Sequence, residues 1–260
     1  MPKALLVDVG NTNIKFGLAD QAGISHSFNL PTNRDQTSDF IGLHLVEMLR
    51  YAGVEASELA AVFACSVVPL LNPLLRAACA RYLKARLYFV PEDIPVPLEN
   101  HYADPAQVGA DRLVGAYAAR TLYPEPASII CVDYGTATTF DCIQGHDYLG
   151  GLIGPGLFSS AAALVTRASK LNPVSFEVDA GGPAPGVSTE TSMSHGFVFG
   201  FAAMTEGLCG RLSARLAAPC FVLGTGGFAG NIAKVSTCFD MVRSDLLLEG
   251  LRIIYMQQSI

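Results

Sequence analysis

The chain has 260 residues, half of them hydrophobic, and a formal net charge of −6. That length can bury one large core or two small ones. The acidity argues against a nucleic-acid backbone as the main partner but leaves room for a small anion held by backbone dipoles.

Seven cysteines (Cys65, Cys79, Cys131, Cys142, Cys209, Cys220, Cys238) are scattered with no C-x-x-C pair, as in reduced, mostly buried thiols of a cytoplasmic protein. No secretion signal opens the chain. The most apolar long segment, Phe197 to Leu208, is broken by Thr205 and Glu206 and is too short to span a bilayer, so no membrane partner is expected.

In chain order, the first element is a hairpin, "ALLVDVGNTNIKFGL", from Ala4 to Leu18. Residues Ser38 to Tyr51 carry apolar positions at helical spacing, with Ser38 as a cap. Ala60 to Pro69 reads as a buried strand ended by proline. Leu70 to Leu83 returns to helical spacing, and "RLYFVP" gives another strand. Asp111 to Leu122 reads as an amphipathic helix entered through Gly109. Pro124 and Pro126 mark a boundary, which divides the chain into residues 1–124 and 125–260. Ser128 to Ile143, "SIICVDYGTATTFDCI", is a second hairpin. Helices follow over Phe158 to Ser169 and Ser194 to Leu216, and "CFVLGTGG" is a strand running into a glycine turn before a further helix.

The two hairpins answer each other. Aligned on Asp8 and Asp133, which are 133 − 8 = 125 positions apart, both read apolar strand, Asp, any residue, Gly, then threonine hydroxyls. Such self-similarity marks duplicated units. Mixed strands and helices in two similar halves predict an α/β fold with a cleft between lobes.

Gly10 and Gly135 allow backbone N–H groups to approach a ligand, and hydroxyls of Thr12, Thr136 or Thr138 suit phosphate oxygens. A carboxylate repels phosphate, so Asp8 and Asp133 make sense there through a cation or its waters. The alternative is that each aspartate satisfies its own turn. This is not a Walker loop, since G-x-x-x-x-G-K-[ST] is absent. Asp111, opening a helix beside Arg112, has two candidate roles. It can complement the helix N-terminus, or it can accept a hydroxyl proton while Arg112 holds an anionic substrate.

With "DVGNTN", "YADPAQVGADR", "VDYGTATTFD", "GGLIGPG" and "LGTGG" in this order, nearly the whole chain resembles the type III pantothenate kinases. The resemblance implies duplicated ribonuclease-H-like halves of the actin/Hsp70/sugar-kinase type with a nucleotide cleft between them. It also implies ATP-dependent phosphorylation of pantothenate, the first step towards coenzyme A, with Mg2+ and a monovalent cation (K+ or NH4+). By motif, Asp8, Val9, Gly10, Asn11, Thr12, Asn13, Ile14 and Lys15 would form the first phosphate loop, and Thr136 would contact ATP from the second. Asp111 would be the base, within a substrate loop of Gly109, Ala110, Asp111 and Arg112, with Tyr102 and Thr189 as further pantothenate contacts. Asp133 would hold the monovalent cation. Two departures stand out: Ser188 replaces an Asn usual before the substrate threonine, and Lys170 to Val174 interrupts a usual Leu-Pro pair.

Two other readings compete. One is a related phosphotransferase acting on another small hydroxyl compound, since the fold hosts many substrates. The other is a non-catalytic regulatory relative, against which the presence of Asp8, Asp111, Arg112 and Asp133 argues. Asp133 has its own alternative, as an acceptor for magnesium-bound water alone. A homodimer is expected because the Ser194 to Leu216 helix is rich in Phe, Val and Met that would otherwise face solvent, and because the resemblance implies one; the alternative is that this helix is buried inside one chain.

Overall fold

The computed structural model describes residues 3–167, 175–179 and 181–258. The chain folds into two compact units whose boundaries interleave in sequence. The first holds the residues up to Leu98, Asp104–Ala118 and those from Leu247 onward; the second holds Glu99–Ala103 and Ala119–Leu246.

The first unit is built on β1 (Lys3–Val9), β2 (Asn13–Ala19), β3 (Ile24–Pro31), β4 (Leu59–Ser66) and β5 (Leu87–Phe89). The sheet order is β3-β2-β1-β4-β5, with β1–β2–β3 an antiparallel meander and β4 and β5 parallel to β1. Because side chains alternate along a strand, β1 serves two cores. Leu5, Val7 and Val9 pack towards α1 (Ser38–Tyr51) and α2 (Asn72–Ala78). Ala4 and Leu6 pack, with Ala61, Phe63 and Cys65 of β4, towards α3 (Ala110–Leu122) and the terminal helix, α7 (Leu246–Met256). Asp8 follows the parity of Ala4 and Leu6 and so lies on the α3 face.

The second unit repeats the plan. Strands β7 (Ser128–Tyr134), β8 (Ala137–Gln144) and β9 (Asp147–Pro155) form the meander, and β10 (Cys220–Gly226) and β11 (Met241–Val242) run parallel to β7. The order β9-β8-β7-β10-β11 matches the first sheet, with the short β6 (Glu99–Asn100) added beside β9. Ile130, Val132 and Tyr134 face the core beneath α4 (Leu157–Arg167), α5 (Thr189–Ser213) and α6 (Ala229–Ala233), which puts Cys131 and Asp133 on the opposite face. Tyr134 is anchored there by a hydrogen bond between its hydroxyl and Thr205 of α5.

Several local expectations change for physical reasons. The cap of α1 is Thr37, whose side chain accepts from the Phe40 N–H at 3.2 Å, rather than Ser38. The Leu70 to Leu83 segment divides into α2 and a π-helical turn over Cys79–Leu83, closed by Lys84 at φ 53°. The α3 helix is buried on all sides from Arg112 to Arg120 instead of amphipathic. The long helix α5 starts at Thr189, because Ser188 and Thr191 form a reciprocal capping box. Its large residues turn inward: Met193, Val198 and Phe201 are buried, and Phe197 and Met204 pack against the same core. Facing out are the small residues Gly196, Gly200, Ala203, Gly207 and Gly210 together with Glu206, while Phe199 is half-buried against the ring of His195. The helix read over Phe158 to Ser169 is α4; Ser169 lies outside the described residues, as does Lys170 to Val174.

Candidate active site

In the first unit, β1 carries Asp8 one residue before its end, and the chain turns through Gly10-Asn11-Thr12 into β2. The turn is closed by a bond from the Gly10 N–H to the Asn13 carbonyl at 3.0 Å. It is braced from β3 by Thr32, whose hydroxyl donates to the Gly10 carbonyl at 2.7 Å. Asn11, Thr12 and Asn13 are exposed, while Val9 and Ile14 are buried anchors of the same turn. Lys15 lies directly across from Asp8 on β2, on the same face. Cys65 lies across from Asp8 on β4 and donates its S–H to Asp8 Oδ1 at 3.5 Å.

The start of α3 brings the third group. Asp111 Oδ1 accepts from the Arg112 N–H at 2.8 Å, so this carboxylate does complement its helix terminus. Gly109 makes that position possible, since a Cβ there would collide with Asp111 Oδ1. Arg112 is buried at 9% exposure.

Asp8 and Asp111 are electrostatically coupled. Burial, then the negative charge of Asp111, pushes the Asp8 carboxyl up from 3.8 to about 7, against smaller opposing effects of Cys65 and Lys15. Burial also raises Asp111, although the Arg112 N–H and guanidinium oppose it. The Cys65 thiol is pushed up by burial and by both carboxylates, and so remains protonated. Two acids held in a partly dry site with mutual repulsion form a natural cation site.

The second unit holds the other predicted residues. Asp133 is the next-to-last residue of β7, the same place that Asp8 has on β1. Its neighbour in β10 is Thr225, and the strand continues into Gly226 at φ 87°. A Cβ at Gly226 would collide with the Tyr134 backbone and with Asp133 Oδ1, so this left-handed position beside the carboxylate requires glycine. Gly135 donates to the Ala137 carbonyl at 3.0 Å, and the Thr136 carbonyl accepts from Ser159 Oγ at 2.7 Å, leaving Thr136 itself exposed. The Thr138 hydroxyl is fully buried and donates to the Pro155 carbonyl at 3.0 Å, which removes it from the candidate phosphate contacts. Tyr102 is half-buried, its ring against the backbone of Gly150 on β9, and its N–H donates to Asn100 Oδ1 at 3.0 Å. Thr189 is exposed at the first position of α5, and Ser188, where an Asn was expected, supplies the cap.

Asp8, Lys15 and Gly109 to Arg112 are thus gathered in the first unit, and Tyr102, Asp133, Thr136 and Thr189 in the second. Sequence reasoning missed Cys65 and Thr225. No local signal marked them: each is the next-to-last residue of a strand whose parallel pairing with an aspartate-bearing one only the fold supplies.

Comparison with known proteins gives the class first. The chain matches the solved structure of an inorganic polyphosphate/ATP-glucomannokinase from Arthrobacter sp. strain KM with a TM-score of 0.53. That match covers 99% of this chain and 100% of the other at 13% identity. Together with the duplicated sheets, this assigns an α/β fold of the sugar-kinase and actin type. Residues 4–211 match the family model for type III pantothenate kinase. Type III pantothenate kinases of Oleidesulfovibrio alaskensis strain G20 and Nitratidesulfovibrio vulgaris strain Miyazaki F are 58% and 57% identical, each over 98% of this chain and 97% of the relative. The chain belongs to the type III pantothenate kinase family. It is an enzyme, a kinase that uses ATP to phosphorylate pantothenate in coenzyme A biosynthesis.

The raised Asp8 acidity has a measurable consequence. A carboxyl whose folded value is about 7 against an ordinary 3.8 leaves the fold unpenalised below about pH 4. The penalty grows as pH rises through that window and is complete above it. Asp8 keeps partial solvent contact, so the expected size is discounted to roughly 1–3 kcal/mol. Asp8→Asn in the ligand-free protein is expected to raise the melting temperature at pH 8 and to leave it nearly unchanged at pH 4.5. An equal shift at both values would contradict the repulsion.

Proposed function

We propose that Asp111 is the general base of this reaction and that the β1–β2 turn and Thr136 hold the phosphates of ATP. The observation that carries the assignment is the placement of Asp111 at the start of α3, close enough to Asp8 on β1 for the two carboxylates to interact, with burial raising the pKa of each. A base works best when its acidity approaches the working pH. Asp111 takes the proton of the pantothenate primary hydroxyl as that oxygen attacks the γ-phosphorus. The bond between the γ-phosphorus and the bridging oxygen breaks, and ADP leaves with the electron pair.

The N–H groups of Asn11 and Thr12 and the hydroxyl of Thr12 fit phosphate oxygens, as does Lys15 across from Asp8. Asp8 would hold a Mg2+ ion arriving with the triphosphate, which would supply positive charge to the phosphate oxygens. Gly109, Ala110, Arg112, Tyr102 and Thr189 are assigned to pantothenate, with Arg112 matched to its carboxylate. Asp133 is assigned a monovalent cation, because carbonyl and hydroxyl oxygens lie around its turn and suit a larger ion with a loose shell.

Two further assignments concern the whole molecule. The free cysteines, five of them buried, support a cytoplasmic enzyme. A homodimer is supported by the small-residue face of α5 and by exposed apolar residues in the same unit, Ile153 and Phe158 at 65% and 57% exposure among them.

Asp111→Asn keeps the shape and the bond from the Arg112 N–H but cannot accept the proton. Turnover in a coupled assay of pantothenate-dependent ADP release is expected to drop by roughly two to four decades, with ATP affinity little changed. Near-normal turnover would return Asp111 to a capping role alone.

The cation assignment is tested by titrating potassium into an ammonium-free Tris buffer with saturating magnesium. Activity should rise and saturate in the wild type, and the rise should be lost or much weakened in Asp133→Ala. Full activity without either monovalent ion sinks the assignment.

For the dimer, sedimentation at low micromolar concentration should give a species of about twice the 27.5 kDa chain mass. A single species at the chain mass would rule it out.

A further inference from the structure

Cys65 is buried with 0% exposure at the end of β4, in register with Asp8, and its S–H points at Asp8 Oδ1 at 3.5 Å. Ala61 and Phe63 precede it on the same face and pack into an apolar core, where a further aliphatic side chain would serve equally well for packing alone. The residue that stands at the carboxylate is instead the one small, nearly apolar side chain that also carries a donor.

The duplicated sheet offers an independent comparison. In the second unit, Asp133 of β7 is in register with Thr225 of the parallel strand β10, and Thr225 is buried at 4% exposure. At equivalent places, then, each aspartate has on its parallel neighbour a small buried side chain with a hydrogen to donate, a thiol in one half and a hydroxyl in the other.

We propose that Cys65 is a positioning residue for Asp8. Its S–H holds one carboxylate oxygen in a fixed orientation from beneath, so that the remaining lone pairs are directed to the phosphate site. No bond is made or broken by Cys65, and it acts only through Asp8.

This inference rests on the reading that Asp8 serves the phosphate site, and its test separates the two. A thiol is a weak donor, so Cys65→Ala is expected to lower kcat about three- to tenfold, while Cys65→Ser, which retains a donor, stays within about twofold of wild type. In an Asp8→Asn background, Cys65→Ala should add little further loss, since the carboxylate it orients is gone. The infrared S–H stretch gives a readout independent of activity. The wild-type-minus-Cys65→Ser difference spectrum of the ligand-free protein should show a band shifted to the lower frequency of a donating thiol. The same difference taken in Asp8→Ala should show the band returned to the frequency of a free thiol.

Equal losses in Cys65→Ala and Cys65→Ser, unchanged kcat in Cys65→Ala, or a free-thiol band in the wild type would each overturn the proposal. Should Cys65→Ala not fold, the infrared band decides alone. If Asp8→Asn keeps full turnover, the phosphate-site reading of Asp8 fails, and the band still reports whether the hydrogen bond exists.

Discussion

A carboxylate one residue before the end of a central strand is the constraint on which the first unit turns. Parity along β1 assigns Leu5, Val7 and Val9 to one core and Ala4, Leu6 and Asp8 to the other. The second face is covered by α3 and α7, so Asp8 emerges where apolar packing ends and the mouth of α3 begins. Shifting the register of β1 by one residue would bury the charge under α1 and α2, so the same alternation that builds both cores also fixes the position of the acid. Asp111 then arrives by necessity at the start of a helix whose body is buried among these residues. The proximity of like charges is therefore a by-product of packing that the proposed chemistry uses.

The duplication was legible because it is local: strand, Asp, Gly and hydroxyls recur within each hairpin, and the equal sheet orders follow from the same sequence pattern. Helix α1 was legible to the residue, since its apolar positions keep a single period over fourteen residues. Other elements depend on partners far along the chain. Strand β6 is two residues long and exists by pairing with β9 some fifty positions later, which no local pattern announces. The terminal helix α7 places Leu248, Leu251 and Ile254 in the core of the first unit, against β1 and α3. Its apolar character shows in the sequence, but its destination does not.

The site was legible to a similar degree and for similar reasons. Asp8, Asp111 and Asp133 stand out because a charge next to a glycine turn or a helix start conflicts with the apolar pattern around it. Thr138 was overrated, since its hydroxyl belongs to the β8–β9 pairing and reaches only the Pro155 carbonyl. Cys65 was undervalued because a cysteine in a buried strand agrees with its surroundings and raises no conflict. Position, rather than residue type, gives it meaning, and position required the parallel register of β1 and β4. The outer face of α5 shows the converse. Composition suggested large apolar residues facing out, but the helix phase set by the Ser188 capping box turns Met193, Val198 and Phe201 inward and leaves glycines outside. Two helices can approach closely over such a face, so the same helix argues for association on different grounds.

The two halves share a plan yet differ where it matters to charge. The first turn has three residues between its strands and the second has two. Opposite Asp8 stands Lys15, while opposite Asp133 stands Thr139. The first aspartate thus has a lysine cation, a thiol donor and a second carboxylate around it, an arrangement in which charge must be balanced by whatever binds. Around Asp133 the cross-strand neighbours are the threonines at 139 and 225, and a further acid on that face is the buried Asp141, which accepts from the Thr139 hydroxyl at 3.3 Å. Hydroxyl oxygens beside a carboxylate suit a large ion with a loose shell, which is the ground on which a monovalent ion is proposed there. Divergence of two copies of one hairpin, by a lysine in one and threonines in the other, therefore gives the same aspartate position two different electrostatic surroundings.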